Sequence, residues 1–448
     1  MHTVRHGVST LRCDVAVIGG GPAGSTVAAL LAEHGWQVTL FEKERHPRFH
    51  IGESLLPLNL PILERLGVLE QVRAIGMVKY GAEFNSDEHP AGRTTFYFRD
   101  ALDKNHPYAF QVRRSEFDHL LLRNSAAKGV EVHEGVRVTD VSSQGAADSR
   151  LTVEDEQGSA STWTARFVID ASGRDTFLAR RLSLKRKSPS HNTAAIFSHF
   201  ENVERRPGAD AGNIGIHWFP HGWFWMIPLR DGSMSVGAVC WPEYLKQRRS
   251  TPEEFLWETI KLCPSVYARM GAARMIAPAR ATGNYSYSAG NMYGRRFLLI
   301  GDAFAFIDPV FSSGVFLAMN GAAASAEVVD RCLRQPWLTT KLLARHERRV
   351  RRGITRISWF IHRFTSPAMH RLFMSPRNIA HMQEAVISVL AGDLYRKTPI
   401  GAPLMLFKAL YYLTSAANLR HSWRRFRLRR RSTRVAFTGG TTPQDIEV

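Results

Sequence analysis

Short apolar runs alternate with a helical pattern in the first part of the chain. Residues 14–18 contain four consecutive apolar positions and predict a buried strand, residues 25–34 predict a helix, and residues 37–41 predict a second strand. Residues 167–169 and 298–300 predict two more buried strands. Strands connected by a helix are typical of βαβ units, so this pattern predicts an α/β protein with a parallel sheet.

The middle and the end of the chain follow other patterns. Residues 223–228 are all hydrophobic and predict a strand. Because side chains point alternately to the two faces of a strand, Trp223 and Trp225 would lie on the same face. From Pro336 onward the pattern is helical, and the proline suits the first turn of a helix. The order of patterns therefore predicts an inserted sheet followed by a helical C-terminal region.

A glycine-rich loop joins the first predicted strand to the first helix. It reads Gly-Gly-Gly-Pro-Ala-Gly, with Ala23 before the last glycine. Gly19, Gly21 and Gly24 allow a tight turn, close approach of the backbone to a pyrophosphate, and packing of the helix on the strand. Glu42 ends the second strand, where an acidic side chain binds ribose hydroxyls. These features predict a dinucleotide site.

Three later segments favour FAD as the dinucleotide. Residues 111–118, which include Arg113, resemble the segment that holds the flavin side in glutathione-reductase-like flavoproteins. The turns at 170–173 and 301–302 resemble the second and third loops of the same proteins. No second GxGxxG follows a predicted strand, so we expect no separate nicotinamide site. A partner flavin reductase is then expected to supply reduced FAD.

Several motifs together resemble the flavin-dependent halogenases, most closely the branch that acts on phenols and pyrroles. The resemblance extends over residues 14–395 and rests on segments 49–57, 79–84, 223–228 and 301–318. Two alternatives stay open. The first is a flavin monooxygenase or other oxidoreductase of the same superfamily that does not halogenate. The second is a non-catalytic, membrane-associated partner in a multi-enzyme assembly.

The resemblance implies a chemistry and assigns residues to it. Reduced FAD and oxygen would convert chloride or bromide to hypohalous acid, which Lys79 would receive by hydrogen bonding or as a haloamine. The halide would lie against the backbone of Ser312, Ser313 and Gly314, where amide groups suit an anion. A hydrophobic barrier would keep the substrate away from the flavin, and it consists of Trp223, Trp225, Ile227 and Pro228.

The residues expected to bind FAD come from six separate segments. They are Gly19, Gly21, Ala23, Gly24, Glu42, Glu53, Ser54, Arg113, Asp170, Gly173, Gly301, Asp302 and Pro309. Glu53 has two open interpretations, as a capping carboxylate that faces the core or as a residue that orders the flavin loop. His191, His199, His217 and His221 are not spaced like metal ligands, so we treat them as ordinary polar residues and expect no metal site.

Two positions depart from the family pattern and limit the substrate. Phe311 stands where free-tryptophan halogenases carry a glutamate that acts on the indole NH, so tryptophan is not the expected substrate. Phe316 stands where the phenol and pyrrole branch commonly has a histidine. Phenols and pyrroles carry enough ring electron density to react without a dedicated base. The expected substrate is therefore an electron-rich phenolic or pyrrolic intermediate of specialised metabolism, free or bound to an acyl or peptidyl carrier protein.

The predicted fold is a glutathione-reductase-like FAD-binding Rossmann fold with an inserted mixed sheet on the substrate side and a helical C-terminal region. Its parts are residues 1–77, 111–190 and 289–335 for the FAD-binding domain, 78–110 and 191–288 for the sheet, 336–419 for the helices and 420–448 for a basic tail. A chain of 448 residues with 44% hydrophobic content can bury the core that this requires. The four cysteines lie far apart, and residues 1–11 lack an apolar signal region, so we expect a cytoplasmic location.

Positive charge is concentrated near the C-terminus. The formal net charge is +19, and residues 420–434 contain eight arginines and no acidic residue. Residues 400–419 before them are nearly all apolar or small, with Lys408 near the centre. An apolar helix beside an arginine cluster favours contact with the inner face of a membrane, but a solvated tail beyond a packed helix remains an alternative. No nucleic-acid motif accompanies the arginines, so we do not expect nucleic-acid binding.

Overall fold

The chain folds into two large β-sheets covered by helices. The structure is a computed structural model and describes residues 11–142, 148–188, 193–283 and 286–417. The arginine-rich segment 420–434 and His191 lie outside the described residues.

Within the described residues, the first sheet contains seven strands, of which five run parallel. Leu11–Ile18 lies between Val38–Glu42 and Ala160–Asp170 and is parallel to both. The sheet is completed by Glu131–Glu134, Phe297–Leu299 and the antiparallel strands Val136–Ser142 and Ser149–Asp155. The carboxyl ends of the parallel strands meet at one edge, where α/β proteins bind their ligands. This sheet confirms the predicted α/β fold.

The second sheet is mixed and has eight strands in the described part of the chain. Its strands, in spatial order, are Arg274–Met275, Ala194–Glu201, Met234–Cys240, Gly222–Pro228, Ile214–Phe219, Gly81–Ser86 and Arg93–Tyr97, with Arg280–Thr282 also paired to Ala194–Glu201. Only Ile214–Phe219 and Gly81–Ser86 are parallel among these pairs. The described residues also form two smaller sheets. In one, Met77–Lys79 pairs with Ala109–Gln111. In the other, Tyr287–Ala289 pairs with Lys185–Lys187 on one side and with Ala305–Phe306 on the other.

Helices cover both sheets. Pro22–Glu33 packs against Arg114–Ala127 and Ser313–Arg334 beside the first sheet. The α-helices in the described residues are Pro22–Glu33, Leu60–Leu66, Leu69–Ile75, Arg114–Ala127, Phe177–Arg181, Pro242–Leu245, Pro252–Lys261, Pro264–Tyr267, Ser313–Arg334, Thr339–Ile361, Pro367–Met374, Met382–Leu390 and Gly401–Ala417. None of them, in this part of the chain, is both long enough and apolar enough to cross a bilayer.

Alternation along Gly222–Pro228 divides the core of the second sheet in two. Trp223, Trp225 and Ile227 face a core shared with the C-terminal helices. Phe224 and Met226 face the opposite side, where helix Pro252–Lys261 packs. The period of two in a strand produces this division, so the two tryptophans share a face as predicted.

Candidate active site

The glycine loop after the first strand is shaped by close backbone contacts. A Cβ on Gly24 would lie 1.8 Å from the carbonyl oxygen of Gly19, and one on Gly19 would lie 2.5 Å from that of Ala171. At Gly21, by contrast, the nearest atom is Arg48 Nη2 at 3.8 Å. The N-terminus of helix Pro22–Glu33 and the Arg48 guanidinium both favour an anion in this open space. The loop therefore fits a dinucleotide pyrophosphate.

Glu42 is fixed at the end of its strand beside the glycine loop. Its Oε2 accepts a hydrogen bond of 2.6 Å from Gly20 N, and its Oε1 accepts one of 2.9 Å from Glu44 N. The side chain is buried. The carboxylate thus lies where the sequence predicts a ribose contact, next to the open space in front of the helix.

The two later loops lie against the first one. Gly301 has a φ of +57°, and a Cβ there would lie 3.2 Å from the Cβ of Ala23. Asp170 is buried and accepts hydrogen bonds from Ser172 N at 2.9 Å and Leu178 N at 2.8 Å. Nothing lies within 4 Å of a Cβ built on Gly173. Three distant segments therefore converge on one open edge, as expected for a nucleotide site.

Burial changes the pKa of acidic groups at this edge. It raises the pKa of Asp302 to about 6, although Arg174 and Arg114 oppose the rise. It also raises the pKa of Asp170. An acidic side chain that is easily protonated can donate as well as accept a hydrogen bond, which suits a hydroxyl-bearing ligand.

Two adjacent arginines in segment 111–118 have different surroundings. Arg113 donates to Asp231 and to Ser233 Oγ on the second sheet and is partly exposed. Arg114 is buried and forms a bidentate ion pair with Asp118, with bonds of 2.7 and 2.8 Å. Its third nitrogen donates to Ile51 O at 2.7 Å. The sequence singled out Arg113, whereas the structure shows that Arg114 holds the backbone before Glu53.

Lys79 is buried, with 1% of its surface exposed. Its Nζ donates to Ser54 Oγ at 2.8 Å and to Leu55 O at 3.0 Å. No carboxylate in the described part of the chain pairs with it, and burial lowers the pKa of Lys79 to about 7. The Phe98 ring, 5.2 Å from Nζ, favours the ammonium form but does not offset the loss of solvent.

Glu53, next to Ser54, forms a buried pair with His199 of the second sheet. His199 Nε2 donates to Glu53 Oε1 at 2.8 Å, while Glu53 Oε2 is buried without a partner among the described residues. The Phe49 ring packs edge-on against His199 with centroids 6.1 Å apart. Sequence reasoning treated His199 as an ordinary polar residue. No local signal could identify the pair, because its members are 146 residues apart.

The two tryptophans form a buried pair on the second sheet. Their ring centroids are 6.1 Å apart, and Trp225 Nε1 donates to Ser235 Oγ at 3.1 Å. A Cβ on Gly237 of the next strand would lie 2.3 Å from the Trp225 indole. The glycine therefore provides the space that the indole occupies, and the pair is held rigidly.

The loop at 308–314 ends at a helix N-terminus. Asp308 accepts hydrogen bonds from Thr193 Oγ1 at 2.8 Å and from Val310 N at 3.2 Å, and Pro309 begins a short 3₁₀ turn. Ser312 has a φ of +55°, and the 22-residue helix Ser313–Arg334 follows. Nothing lies within 4 Å of a Cβ on Gly314. This end of the helix offers unpaired amides and space for an anion.

Comparison with known proteins decides the family. A family model described as an FAD binding domain matches residues 12–350. The chain is 32% identical over 407 residues to a chlorinase of 1H-pyrrole-2-carbonyl peptidyl-carrier protein from Pseudomonas fluorescens. That match covers 85% of this chain and 89% of the chlorinase. The chain belongs to the flavin-dependent halogenases. It is an FAD-dependent halogenase, so the predicted family, cofactor and enzyme class are confirmed over the non-halogenating alternative.

Solved structures agree with the fold of this halogenase. The chondrochloren halogenase CndH of a myxobacterium has a TM-score of 0.75 and 32% identity, covering 90% of this chain and 97% of that one. A flavoprotein/dehydrogenase of Cytophaga hutchinsonii has a TM-score of 0.83 and 31% identity, covering 91% of this chain and all of that one. The predicted FAD-binding fold is therefore confirmed.

Aromatic side chains fill the region beside the predicted halide loop of the halogenase. We call them the aromatic cluster, and they are Phe84, Phe96, Trp218, Phe311, Phe364 and Phe373. Phe311 lies 5.3 Å from Phe364 and 6.1 Å from Phe373, measured between ring centroids. Phe316 instead packs against Gly392, 3.3 Å from a Cβ built there. Of the two residues that depart from the family pattern, Phe311 thus belongs to the aromatic cluster, whereas Phe316 packs against Gly392.

Proposed function

We propose that this halogenase transfers chlorine or bromine to an electron-rich phenolic or pyrrolic ring that is carried on an acyl or peptidyl carrier protein. The main support is Lys79, a buried amine in a segment that resembles the family motif. The apolar aromatic cluster around Phe311 supports an arene that needs no carboxylate base. The carrier is suggested by the chlorinase relative, which acts on a carrier-bound pyrrole.

The FAD-binding residues divide into backbone and side-chain contacts. Gly19, Gly21 and Gly24 with the following helix would hold the pyrophosphate, Glu42 the ribose, and Asp302 the flavin side chain. When bound and reduced, FAD supplies with oxygen the oxidising power that converts halide to hypohalous acid. A separate flavin reductase is the proposed source of reduced FAD, because the sequence has one dinucleotide fingerprint.

The Ser312 to Gly314 turn is the proposed halide site. Ser312, with its positive φ, is the N-cap of helix Ser313–Arg334, whose first amides lack helical partners as at any helix N-terminus. Ser313 Oγ is buried and has no hydrogen-bond partner within the described ranges. Amides and a hydroxyl that point at one space bind an anion without supplying a competing negative charge.

Lys79 is proposed to act as a neutral amine. A neutral amine has two N–H groups and one lone pair. Ser54 and Leu55 accept two hydrogen bonds from Nζ, which leaves the lone pair free to react with hypohalous acid. A pKa of about 7 keeps a large fraction of Lys79 in this form at neutral pH. A neutral amine at this position supports the haloamine route rather than the ammonium route.

Replacing Lys79 tests the assignment. Lys79→Met keeps the length and removes the amine, so arene bromination should fall by roughly 10²–10⁴-fold, the range for a positioned catalytic group. FAD affinity should not change. The assay measures brominated phloroglucinol by mass spectrometry with FAD, a flavin reductase, NADH, bromide and catalase. Monochlorodimedone in a parallel reaction reports released hypohalous acid.

The yields of brominated phloroglucinol and brominated monochlorodimedone test the role of Lys79 and the halogenase function separately. Unchanged arene bromination in Lys79→Met would remove Lys79 from the path. A wild-type protein that oxidises reduced flavin but brominates neither compound would contradict the halogenase function. Tyr80→Phe is a matched control, because Tyr80 is the exposed neighbour of Lys79 and should leave both yields unchanged.

A peripheral membrane contact at the cytoplasmic face is the proposed location. Helix Gly401–Ala417 buries Leu404, Phe407 and Tyr411 on one side. Its other side exposes Met405 and Leu413 with relative accessibilities of 67% and 69%. The eight arginines at 420–434 follow in the sequence. Exposed apolar side chains next to basic residues favour an anionic lipid surface.

A further inference from the structure

A groove opens between the C-terminal helices on the outer side of the aromatic cluster. It lies among helices Pro367–Met374, Met382–Leu390 and Gly401–Ala417 and has a volume of about 390 Å³. That volume falls within the range of roughly 300–1,000 Å³ typical of small-molecule sites. Its apolar lining consists of Phe96, Leu372, Phe373, Met382, Val386, Phe407 and Leu410.

Phe373 separates the groove from the predicted halide loop. Phe373 lines the groove and is fully buried. Its ring lies 4.9 Å from that of Phe84 and 6.1 Å from that of Phe311, between centroids. Phe311 directly precedes Ser312 in the chain. Phe373 is therefore the groove residue that packs next to the start of the predicted halide loop.

The rim of the groove is positively charged. Arg371 and Arg377 both line it and are exposed. Neither forms an ion pair with a carboxylate in residues 11–142, 148–188, 193–283 or 286–417. Free guanidinium groups next to an apolar floor suit a ligand with an anionic group at one end and an apolar chain at the other.

We propose that this groove binds the 4′-phosphopantetheine arm of the carrier protein. Arg371 and Arg377 pair with its phosphate, the apolar floor holds the chain of the arm, and the tethered ring passes Phe373 to reach Phe311. The arm combines one phosphodiester with a long, thin chain, so the two guanidinium groups can bind its phosphate while the groove holds the chain. This inference rests on the proposed function, because it assumes that the substrate arrives on a carrier.

Binding to two synthetic probes tests the groove. The first probe is pyrrole-2-carbonyl-4′-phosphopantetheine, and the second is the same thioester without the phosphate. Calorimetry with the full-length, FAD-loaded protein should show at least tenfold tighter binding of the phosphorylated probe. The double variant R371A/R377A should bind both probes equally. Arg352→Ala replaces an exposed arginine of helix Thr339–Ile361 outside the groove and should keep the preference.

Each outcome has a defined meaning. Equal affinity of the wild type for both probes, no binding of either, or a preference that survives in R371A/R377A would overturn the groove assignment. Inorganic phosphate that binds as tightly as the phosphorylated probe would show an unspecific anion site and would also overturn it. Bromination of monochlorodimedone by the wild type is measured separately. Its failure counts against halogenation and not against the groove.

Discussion

Lys79 shows how burial alone can change the protonation of an amine. Its pKa falls because solvent is removed, without a neighbouring cation. The side chain comes from Met77–Lys79, a short strand held by Ala109–Gln111, so its position is set by backbone pairing. A rigid, desolvated amine is a good acceptor for halogen and a poor partner for anions.

The state of Lys79 predicts a pH dependence. In the proposed reaction the neutral amine is the reacting form, and it predominates above a pKa of about 7. The yield of brominated phloroglucinol, divided by that of brominated monochlorodimedone, should therefore rise between pH 6 and 8 and then level. The ratio corrects for changes in oxidant production. A ratio that falls as the pH rises would show that the ammonium acts instead.

The Glu53 and His199 pair predicts a loss of stability. In His199→Ala the Glu53 carboxylate stays buried with neither oxygen paired, so the free energy of unfolding should decrease by about 3 kcal/mol. Urea titration followed by tryptophan fluorescence measures it. His381→Ala removes an exposed histidine that pairs with Glu384 at 3.2 Å, and it should cost less than about 1 kcal/mol. Equal effects of the two variants would contradict a structural role for the buried pair.

Local backbone requirements made part of the site predictable. The glycine loop could be predicted because Gly19 and Gly24 each lie too close to a neighbouring backbone carbonyl to carry a side chain, whereas Gly21 faces the open space of the predicted pyrophosphate site. The buried position of Arg114 could not be predicted. Arg113 is the N-cap residue and Arg114 is the first residue of helix Arg114–Ala127, so the point at which the helix begins decides which side chain faces inward. Pairs such as Glu53 and His199 depend on the packing of two sheets and leave no local pattern.

The glycine loop between the first strand and the first helix has two requirements that can be tested separately: packing of the helix at Gly24 and binding of FAD at Gly21. Gly24→Ala places a methyl group 1.8 Å from Gly19 O, which forces the helix off the strand. The methyl group of Gly21→Ala would instead point into open space, 3.8 Å from Arg48 Nη2. We expect Gly24→Ala to lower the thermal unfolding temperature without FAD, and Gly21→Ala to leave it unchanged while weakening FAD binding. Differential scanning fluorimetry and flavin titration measure the two effects. Unweakened FAD binding in Gly21→Ala would place the pyrophosphate elsewhere.

Element types followed from the sequence better than element boundaries did. The first helix was predicted at residues 25–34 and is observed as Pro22–Glu33, because Pro22 suits the first turn and lets the helix begin inside the glycine loop. The helical region was predicted to start at Pro336. The structure has a 3₁₀ turn at Pro336–Leu338, and the helix starts at Thr339. Periodicity identifies an element, whereas its ends depend on capping contacts.

The distribution of charge and apolar surface over the protein predicts membrane association. A net charge of +19 attracts anionic lipid, and Met405, Leu406 and Leu413 give an apolar face that can enter it. Each side chain contributes roughly 1.5–3 kcal/mol when fully buried. The variant M405S/L406S/L413S should therefore bind phosphatidylglycerol-containing vesicles at least about tenfold more weakly than the wild type in a flotation assay.

Two controls accompany the flotation assay. Trp337→Ser removes an exposed aromatic side chain, 78% accessible, that lies away from helix Gly401–Ala417. It should float with the vesicles like the wild type. Added salt should weaken the binding of all variants, because it screens the basic residues. Equal flotation of the wild type and the triple variant would show that these apolar side chains do not contribute to membrane binding.

The order of functions along the chain has an evolutionary consequence. The nucleotide loops and the predicted halide turn are complete by Gly314, whereas the three helices around the groove all follow Pro367. A single crossover in the gene, within the long helix Thr339–Ile361, would therefore join one enzyme's oxidant chemistry to another's substrate entrance. Such chimeras offer a route by which related pathways could exchange carriers, and by which an engineer could redirect the same halogenating machinery.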